Sequence, residues 1–332
     1  MNIVQVLGNE RVRLIDLPVP QIEHDGDVLV RIKASAICGS EMPGYRAPTG
    51  MDTNSGHEAA GIVEAVRGCA ALKPGDRVAL FALASCGTCK HCRRGEHILC
   101  LNRPATSAMG WHADYAIVHE RQCLPLPDDI SFEVGAMLGD AVGVPYRAAR
   151  RIQICGFDRV AVFGLGPMGL LAVAVCRMAG ATVYGADPVA RRRALAKELG
   201  AQEVLDPGQP GFIERIHDLT KGEMLSAALE CAGKEEALNL ALATLGVHGR
   251  LAVVGENHRA IINPSEALIR REIMVVGVWY YGTADFQDMV NLVRSGLPVE
   301  KLITHRFPLE NAPEAFSAFA RRETGKVILT RD

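Results

Sequence analysis

Features that mark several classes of protein are scarce in this sequence. Only 5% of its 332 residues are aromatic and the net charge is -2, so it lacks the stacking surface and the basic field of a nucleic-acid binder. It has no run of about 18 uncharged apolar residues, which excludes an obvious membrane span. Residues 1–4 lack the basic start and apolar block of a signal peptide, so we expect a cytoplasmic protein.

The composition itself is close to the average of soluble globular proteins. The chain is 48% hydrophobic and 22% charged, which excludes a disordered protein, and its length suggests about two domains. Up to about residue 145, short strands such as Val28–Ile32 and Arg77–Leu80 alternate with Gly and Pro turns. This spacing predicts an all-β, barrel-like unit.

From about residue 150 onward, apolar strands alternate with helical patterns, which is typical of βαβ units and predicts a doubly wound parallel sheet of six strands. A later helix (Phe286–Ser295) and strand (Gly325–Leu329) are expected to return to the first domain. The predicted strands are Arg159–Gly164, Ala181–Ala186, Glu203–Asp206, Ala227–Cys231, Arg250–Val254 and Ile273–Val278. The predicted helices between them include Met168–Ala179, Ala190–Leu199, Phe212–Leu219 and Glu235–Leu245.

A glycine-rich turn lies where the first strand of this sheet meets its first helix. The G-x-G-x-x-G pattern there predicts a dinucleotide site, because its glycines allow a tight turn, close approach of a pyrophosphate and helix packing. The helix N-terminus would offer free N–H groups to the phosphates. The turn consists of Gly164, Leu165, Gly166, Pro167, Met168 and Gly169.

The nature of the dinucleotide is indicated by Asp187, at the end of the second strand. A carboxylate at that place binds the adenosine ribose hydroxyls and repels a 2′-phosphate, so we expect NAD. The arginines at 191–193 leave NADP open, because one of them could neutralise a phosphate. The alternative is that they lie on a solvated helix face, with Arg192 over the adenine.

Four of the ten cysteines crowd into one short loop: Cys86, Cys89, Cys92 and Cys100. Four thiolates match a closed, tetrahedral zinc site of structural type. Because the loop has little apolar content, metal binding should contribute to its folding. His91 and His97 are alternative ligands, and free thiols or two disulfides are the alternatives to a metal.

These motifs come in an order that resembles the zinc-dependent medium-chain dehydrogenase/reductase family, closest to its polyol, sorbitol and threonine dehydrogenase branch. The resemblance rests on Cys38-Gly39-Ser40, Gly-His-Glu-Ala-Ala-Gly-Ile-Val at 56–63, the cysteine lobe and the glycine turn. It implies a GroES-like β-barrel catalytic domain and a Rossmann domain. The expected domains are residues 1–148 with a zinc lobe at about 86–100, a cofactor domain at 149–283, and a return at 284–332.

The resemblance also implies a second, catalytic zinc, and so two Zn²⁺ per chain. Its ligands would be Cys38, His57 and Asp140, with Glu58 as an exchangeable fourth. Such a site keeps an open position, where the metal lowers the pKa of a substrate hydroxyl. The alternatives are a turn carboxylate for Asp140 and a buried structural histidine for His57.

The proton path is where this chain departs from the family. Ser40 would take the hydroxyl proton, but Pro43 replaces a histidine that many relatives use next. Tyr45, or Glu58 through water, is a candidate replacement. His112 stands where relatives carry an aromatic pocket residue, so it could bind a polar substrate, shuttle a proton or only pack.

The sequence therefore favours an NAD-dependent zinc dehydrogenase that oxidises a secondary alcohol of a polyol or sugar derivative to a ketone. The alternatives are a zinc-free quinone reductase of the same superfamily and a non-catalytic, zinc-bearing binding protein. By resemblance we expect a homo-oligomer, a dimer or a homotetramer. Its expected partner is a small-molecule substrate, with neither nucleic acid nor membrane.

Overall fold

The computed structural model describes residues 1–48, 53–104, 110–322 and 324–331. Two compact units share the chain. The first comprises Met1–Ala141, Tyr281–Asp288 and Val299–Asp332, and the second comprises Val142–Tyr280 and Met289–Pro298. None of the helices within the described ranges has the length and apolarity that crossing a bilayer requires.

As predicted, the first part of the chain consists mainly of strands, whereas strands and helices alternate from residue 159 onward. The strands are β1 (Asn2–Gly8), β2 (Arg11–Asp16), β3 (Asp27–Ala36), β4 (Thr53–Asn54), β5 (Ala59–Val66), β6 (Arg77–Leu80), β7 (Tyr115–His119), β8 (Cys123–Pro125), β9 (Arg159–Phe163), β10 (Thr182–Ala186), β11 (Glu203–Leu205), β12 (Leu225–Glu230), β13 (Leu245–Val253), β14 (Met274–Gly277), β15 (Ile303–Pro308) and β16 (Lys326–Thr330). The helices are α1 (Met42–Arg46), α2 (Phe132–Leu138), α3 (Gly143–Arg151), α4 (Pro167–Met178), α5 (Ala190–Glu198), α6 (Phe212–Leu219), α7 (Glu235–Thr244), α8 (Pro264–Ala267), α9 (Phe286–Arg294) and α10 (Ala312–Ala320).

The first unit is a GroES-like fold built on a seven-stranded sheet. Its strand order is β15-β16-β3-β5-β6-β8, and β7 also pairs with β3. Buried and partly exposed residues alternate along the long strand β3, as in a strand with one solvated face, until its last three residues, which are all buried. Strand β16 pairs antiparallel with β3 and parallel with β15, so these two late strands belong to the same sheet as the early strands β3, β5 and β6.

The second unit is a Rossmann fold, with the strand order β11-β10-β9-β12-β13-β14 in one parallel sheet. Strand β9 is buried after its first residue, as expected for a parallel strand covered on both faces. The order reverses between β9 and β12. Ligands bind at such a switch point, beyond the carboxyl ends of the strands.

The boundaries of the units differ from those expected at residues 148 and 283. Helix α3 belongs to the second unit throughout, because it packs along α4, whereas a boundary at 148 would cut it. The division also falls inside α9, whose Met289 and Val290 are buried with the second unit. Strand β13 begins at Leu245 rather than near Arg250, because α7 runs into it without a loop.

Candidate metal centre and cofactor site

Four side chains that sequence analysis assigned to a catalytic zinc converge in the first unit. Cys38, His57, Glu58 and Asp140 each offer one donor atom, and these atoms all lie within 4.8 Å of one another. A thiolate, an imidazole and carboxylates are the donors that Zn²⁺ binds in proteins.

Pairing of β3 with β5 brings the first three together. Cys38 follows β3, and His57 and Glu58 lie directly before β5. The amide of Ala36 donates to the carbonyl of Glu58 at 2.8 Å, which joins the two strand ends.

The fourth residue, Asp140, is placed by a short segment after α2. The hydroxyl of Tyr281 donates to the carbonyls of Leu138 and Gly139, both at 3.0 Å. A Cβ at Gly139 would lie 2.5 Å from the carbonyl oxygen of Leu80, so only glycine allows this approach to β6. Tyr281 is fully buried and thus acts as an anchor of the Asp140 segment.

His57 lies between two carboxylates. Its Nε2 is 3.4 Å from Oδ2 of Asp140, and its Nδ1 is 3.7 Å from Oε1 of Glu41. Burial would lower the pKa of His57, but the bond with Asp140 and the neighbouring Cys38 and Glu41 raise it well above its usual value. The same negative surroundings would attract a metal cation, and Glu41 on Nδ1 leaves Nε2 as the nitrogen for it.

Glu58 is paired on one side only. Its Oε1 accepts a hydrogen bond of 2.5 Å from Lys326 Nζ, and both side chains are buried. Its Oε2 is buried and has no hydrogen-bond partner among the described residues. Burial raises the pKa of Glu58 to about 7 against the opposing effect of Lys326. An orphaned carboxylate oxygen within this donor set fits a metal ligand.

The proposed proton carriers have different surroundings. Ser40 is exposed on a 3₁₀ turn after Cys38. Tyr45 is 3% exposed and packs in an apolar cluster with Phe316, and such surroundings disfavour passing a proton. His112 is fully buried and both its ring nitrogens are engaged, so neither faces a substrate.

The cysteine lobe also has metal-site geometry. The sulfur of Cys92 lies 3.9 Å from that of Cys86 and 3.5 Å from that of Cys89. Four sulfurs around a tetrahedral zinc would lie roughly 3.8 Å apart, whereas a disulfide needs about 2 Å. Bonds from Thr88 and backbone amides lower the pKa of Cys86 to about 5, whereas burial raises that of Cys92 to about 12. Burial thus disfavours the thiolate of Cys92, and a bound cation would favour it. Together with Cys100, the lobe has four sulfur atoms, and all four lie within 4.8 Å of one another.

In the second unit, the predicted glycine turn has the conformation that its pattern requires. Gly164 has φ +87°, and a Cβ at Gly169 would lie 1.8 Å from the carbonyl oxygen of Gly164. Gly166 precedes α4 and has no side-chain cap, and a Cβ there would meet no atom within 4 Å. This open side at a helix N-terminus fits a phosphate group.

Asp187 directly follows β10, and its side chain lies against the glycine turn. Its carboxylate accepts from the amides of Leu165 and Val189, both at 2.8 Å. Arg192 Nη1 lies 3.6 Å from the same carboxylate, and Arg193 donates to the carbonyl of Asp187 at 2.7 Å. Two of the three arginines thus support Asp187, and Arg191 is exposed.

Sequence reasoning missed Glu41, Lys326, Ser35 and Ser55. The sequence did contain a signal for Lys326, which begins the apolar strand pattern at 326–329. A lysine that is buried in such a strand must be paired with an anion, so a partner carboxylate could have been expected. For the others, no local pattern distinguishes them from ordinary polar residues.

The comparisons with known proteins agree with this geometry. Residues 24–128 match the family model described as alcohol dehydrogenase GroES-like domain, and residues 167–295 match zinc-binding dehydrogenase. The chain is 33% identical to the uncharacterized zinc-type alcohol dehydrogenase-like protein YphC of Escherichia coli (strain K12), over 97% of this chain and 96% of that protein. It is 31% identical to the L-threonine 3-dehydrogenase of Shewanella sp. (strain ANA-3), over 96% of both.

A solved structure of galactitol-1-phosphate dehydrogenase from Escherichia coli matches with a TM-score of 0.90 and 29% identity, and covers 100% of both chains. Identity above 30% over nearly whole chains, together with both family models, is decisive. This protein belongs to the zinc-dependent medium-chain alcohol dehydrogenase family, within its polyol and threonine dehydrogenase-like branch.

Proposed function

We propose that this protein oxidises a secondary alcohol of a polyol or sugar derivative to the ketone, with hydride transfer to NAD and release of one proton. The observation that carries the proposal is the cluster of Cys38, His57, Glu58 and Asp140 in the first unit. A closed structural site would not explain why the buried Oε2 of Glu58 lacks a hydrogen-bond partner among the described residues.

In this proposal Cys38, His57 and Asp140 would hold a catalytic zinc, and Glu58 would be an exchangeable fourth ligand. When bound, zinc supplies a Lewis acid that lowers the pKa of the substrate hydroxyl, and the nicotinamide supplies the hydride acceptor. Ser40, exposed on the turn after Cys38, takes the hydroxyl proton and passes it to water. Pro43 offers no titratable group for a longer relay.

The four-cysteine lobe would hold the second zinc in a structural role, for a total of two Zn²⁺ per chain. The sulfur spacing supports this assignment.

We propose NAD as the natural dinucleotide. Asp187 keeps its carboxylate beside the glycine turn, where ribose hydroxyls would donate to it and a 2′-phosphate would be repelled. The nearest arginine, Arg192, lies within ion-pair range of that carboxylate, and this pairing reduces its availability to a phosphate.

The decisive experiment measures NADH formation by purified protein with a panel of polyols, phosphorylated polyols and L-threonine. NAD and NADP are supplied in parallel, and zinc is counted by mass spectrometry. We expect two zinc ions per chain and turnover with NAD. The variant Asp140→Asn should lose the catalytic zinc and turnover but keep the lobe zinc, and Cys100→Ser is the control for the other site.

Other outcomes discriminate among the alternatives. Turnover that survives complete removal of zinc would favour a quinone reductase-like enzyme. A protein with only the lobe zinc and no turnover would refute the proposal in favour of a non-catalytic role.

We further propose a cytoplasmic homo-oligomer, a dimer or tetramer. All ten cysteines lie in the described ranges and are free, which suits a reducing compartment. The edge strand β14 exposes Met274 and Val275 by 43% and 44%, and apolar edge strands of this kind are commonly covered by pairing.

A further inference from the structure

His112 is the most completely enclosed histidine near the metal centre. It is 0% exposed, and Phe316 meets its ring edge to face with centroids 5.8 Å apart. Its Nδ1 lies 2.8 Å from Ser35 Oγ, and its Nε2 lies 3.2 Å from Glu41 Oε2. A carboxylate only accepts, so His112 donates from Nε2 to Glu41, and a ring protonated at Nε2 alone would accept at Nδ1 from the hydroxyl of Ser35.

Glu41 joins this histidine to two ligands of the metal centre. Its Oε2 also accepts from the amide of Cys38 at 3.2 Å. Its Oε1 accepts from Ser55 at 3.0 Å and lies 3.7 Å from His57 Nδ1. One buried carboxylate therefore supports the backbone of the thiolate ligand and the ring of the imidazole ligand.

Backbone hydrogen bonds also connect the segment of His112 to the segment that precedes His57. The amide of His112 donates to the carbonyl of Ser55 at 3.0 Å, and the amides of Gly110 and Trp111 donate to that of Gly56. Gly56 has φ +106°, and a Cβ there would lie 2.4 Å from the amide nitrogen of His112. The segment that carries His112 is thus in direct contact with the residue before His57.

We propose that His112 is a positioning residue for the metal centre. His112 holds Glu41 in the orientation that fixes His57 and Cys38 as ligands. Ser35 in turn fixes the tautomer of His112. This inference rests on the proposed function only in that the cluster binds zinc. It requires neither a particular alcohol nor NAD.

The test measures zinc affinity and the absorption spectrum of the cobalt-substituted protein in three variants of this histidine. His112→Phe keeps a ring but cannot donate, and should lower affinity at the catalytic site about 10-fold, the lower end for outer-shell partners. His112→Gln, whose amide nitrogen matches the reach of Nε2, should restore most of the affinity. His112→Asn is shorter and should not.

Two controls separate positioning from general loss of stability. The lobe zinc should stay bound in every variant. Thr220→Val, which removes a buried hydroxyl bond in the second unit, should leave the cobalt spectrum unchanged. If His112→Phe fails to fold, Ser35→Ala keeps the ring and should lower affinity in the same direction, by less.

A double variant supplies the sharpest criterion, because His112 is inferred to act through Glu41. In a Glu41→Gln background, His112→Phe should cause less than a 2-fold further loss of affinity, since contacting residues are non-additive. Additive losses, or equal affinity in wild type and His112→Phe, would overturn the inference alone. Wild-type protein that binds only the lobe zinc would overturn both this inference and the proposed function.

Discussion

At a pH well above 7, where Glu58 is ionised despite its raised pKa, replacing Lys326 by methionine should leave an unpaired charge in the core of the first unit. The ammonium of Lys326 is 2.5 Å from Oε1 of Glu58, and the two side chains are 3% and 1% exposed. Oε2 of Glu58 already lacks a hydrogen-bond partner among the described residues, so the variant carboxylate would have none on either oxygen. Removing one partner of a buried pair costs about 3–5 kcal/mol of unfolding free energy.

The double variant Lys326→Met/Glu58→Gln removes both charges and should recover most of this loss, because the cost comes from the uncompensated carboxylate. Both proteins are compared after chelator treatment, so that zinc does not compensate the charge. Urea unfolding can be followed by fluorescence of Trp111, which is buried in the first unit, in a Trp279→Phe background.

The expected loss of unfolding free energy is large for a single side chain. A loss below about 1 kcal/mol for Lys326→Met would mean that water or rearrangement compensates Glu58. A double variant as unstable as the single one would show that Lys326 contributes packing rather than charge. Either result would refute the assignment of Lys326 as the partner that makes a buried Glu58 tolerable.

Four further predictions address other parts of the molecule. Although burial opposes it, His112 and His57 lower the pKa of Glu41 from 4.5 to about 2, so its contribution of about 3 kcal/mol should be complete above pH 4.5 and vanish as pH falls to 2. Thermal unfolding of chelator-treated wild type against Glu41→Gln measures this, and a difference that does not change with pH would contradict it. Cys100→Ser should reduce the zinc count by one and lower the unfolding temperature, as mass spectrometry and calorimetry would show. Asp187→Ala should raise the KM for NAD about 10- to 100-fold, from a lost bond of about 1.5–3 kcal/mol, and should raise activity with NADP relative to NAD; steady-state kinetics with unchanged NAD affinity would refute it. If the wild-type protein forms the proposed oligomer, Val275→Glu should reduce it to smaller species in light scattering, whereas an unchanged mass would place the interface elsewhere.

Much of the fold could be predicted because its evidence is local in the sequence. The apolar strands and helical patterns after residue 150 have distinct periods, and α6 has the bounds that its pattern predicts. The lobe cysteines and the glycine turn are also short, self-contained motifs. The division of the chain was harder, because α3 shows no difference in pattern from a helix of the first unit, and only its packing on α4 assigns it.

The surroundings of the metal centre could not be predicted in the same way. Ser35, Glu41, Ser55 and His112 meet through contacts between distant parts of the chain, and each alone is an ordinary polar residue. The same holds for Tyr45, whose position near Cys38 suggested a proton carrier, although packing against Phe316 places it in the core. The catalytic roles of Ser40, Glu58 and Asp140 remain predictions.

The anchoring of the Asp140 segment by Tyr281 implies an order of assembly during synthesis. The cysteine lobe spans only residues 86–100, so it could take up the proposed structural zinc soon after it leaves the ribosome. The other centre is completed by Tyr281 and Lys326, which are made more than a hundred residues after Asp140. If the protein binds two zinc ions as proposed, the metal of this centre would therefore be loaded only after Lys326 has been synthesised, and a product truncated before Tyr281 would hold the lobe zinc alone.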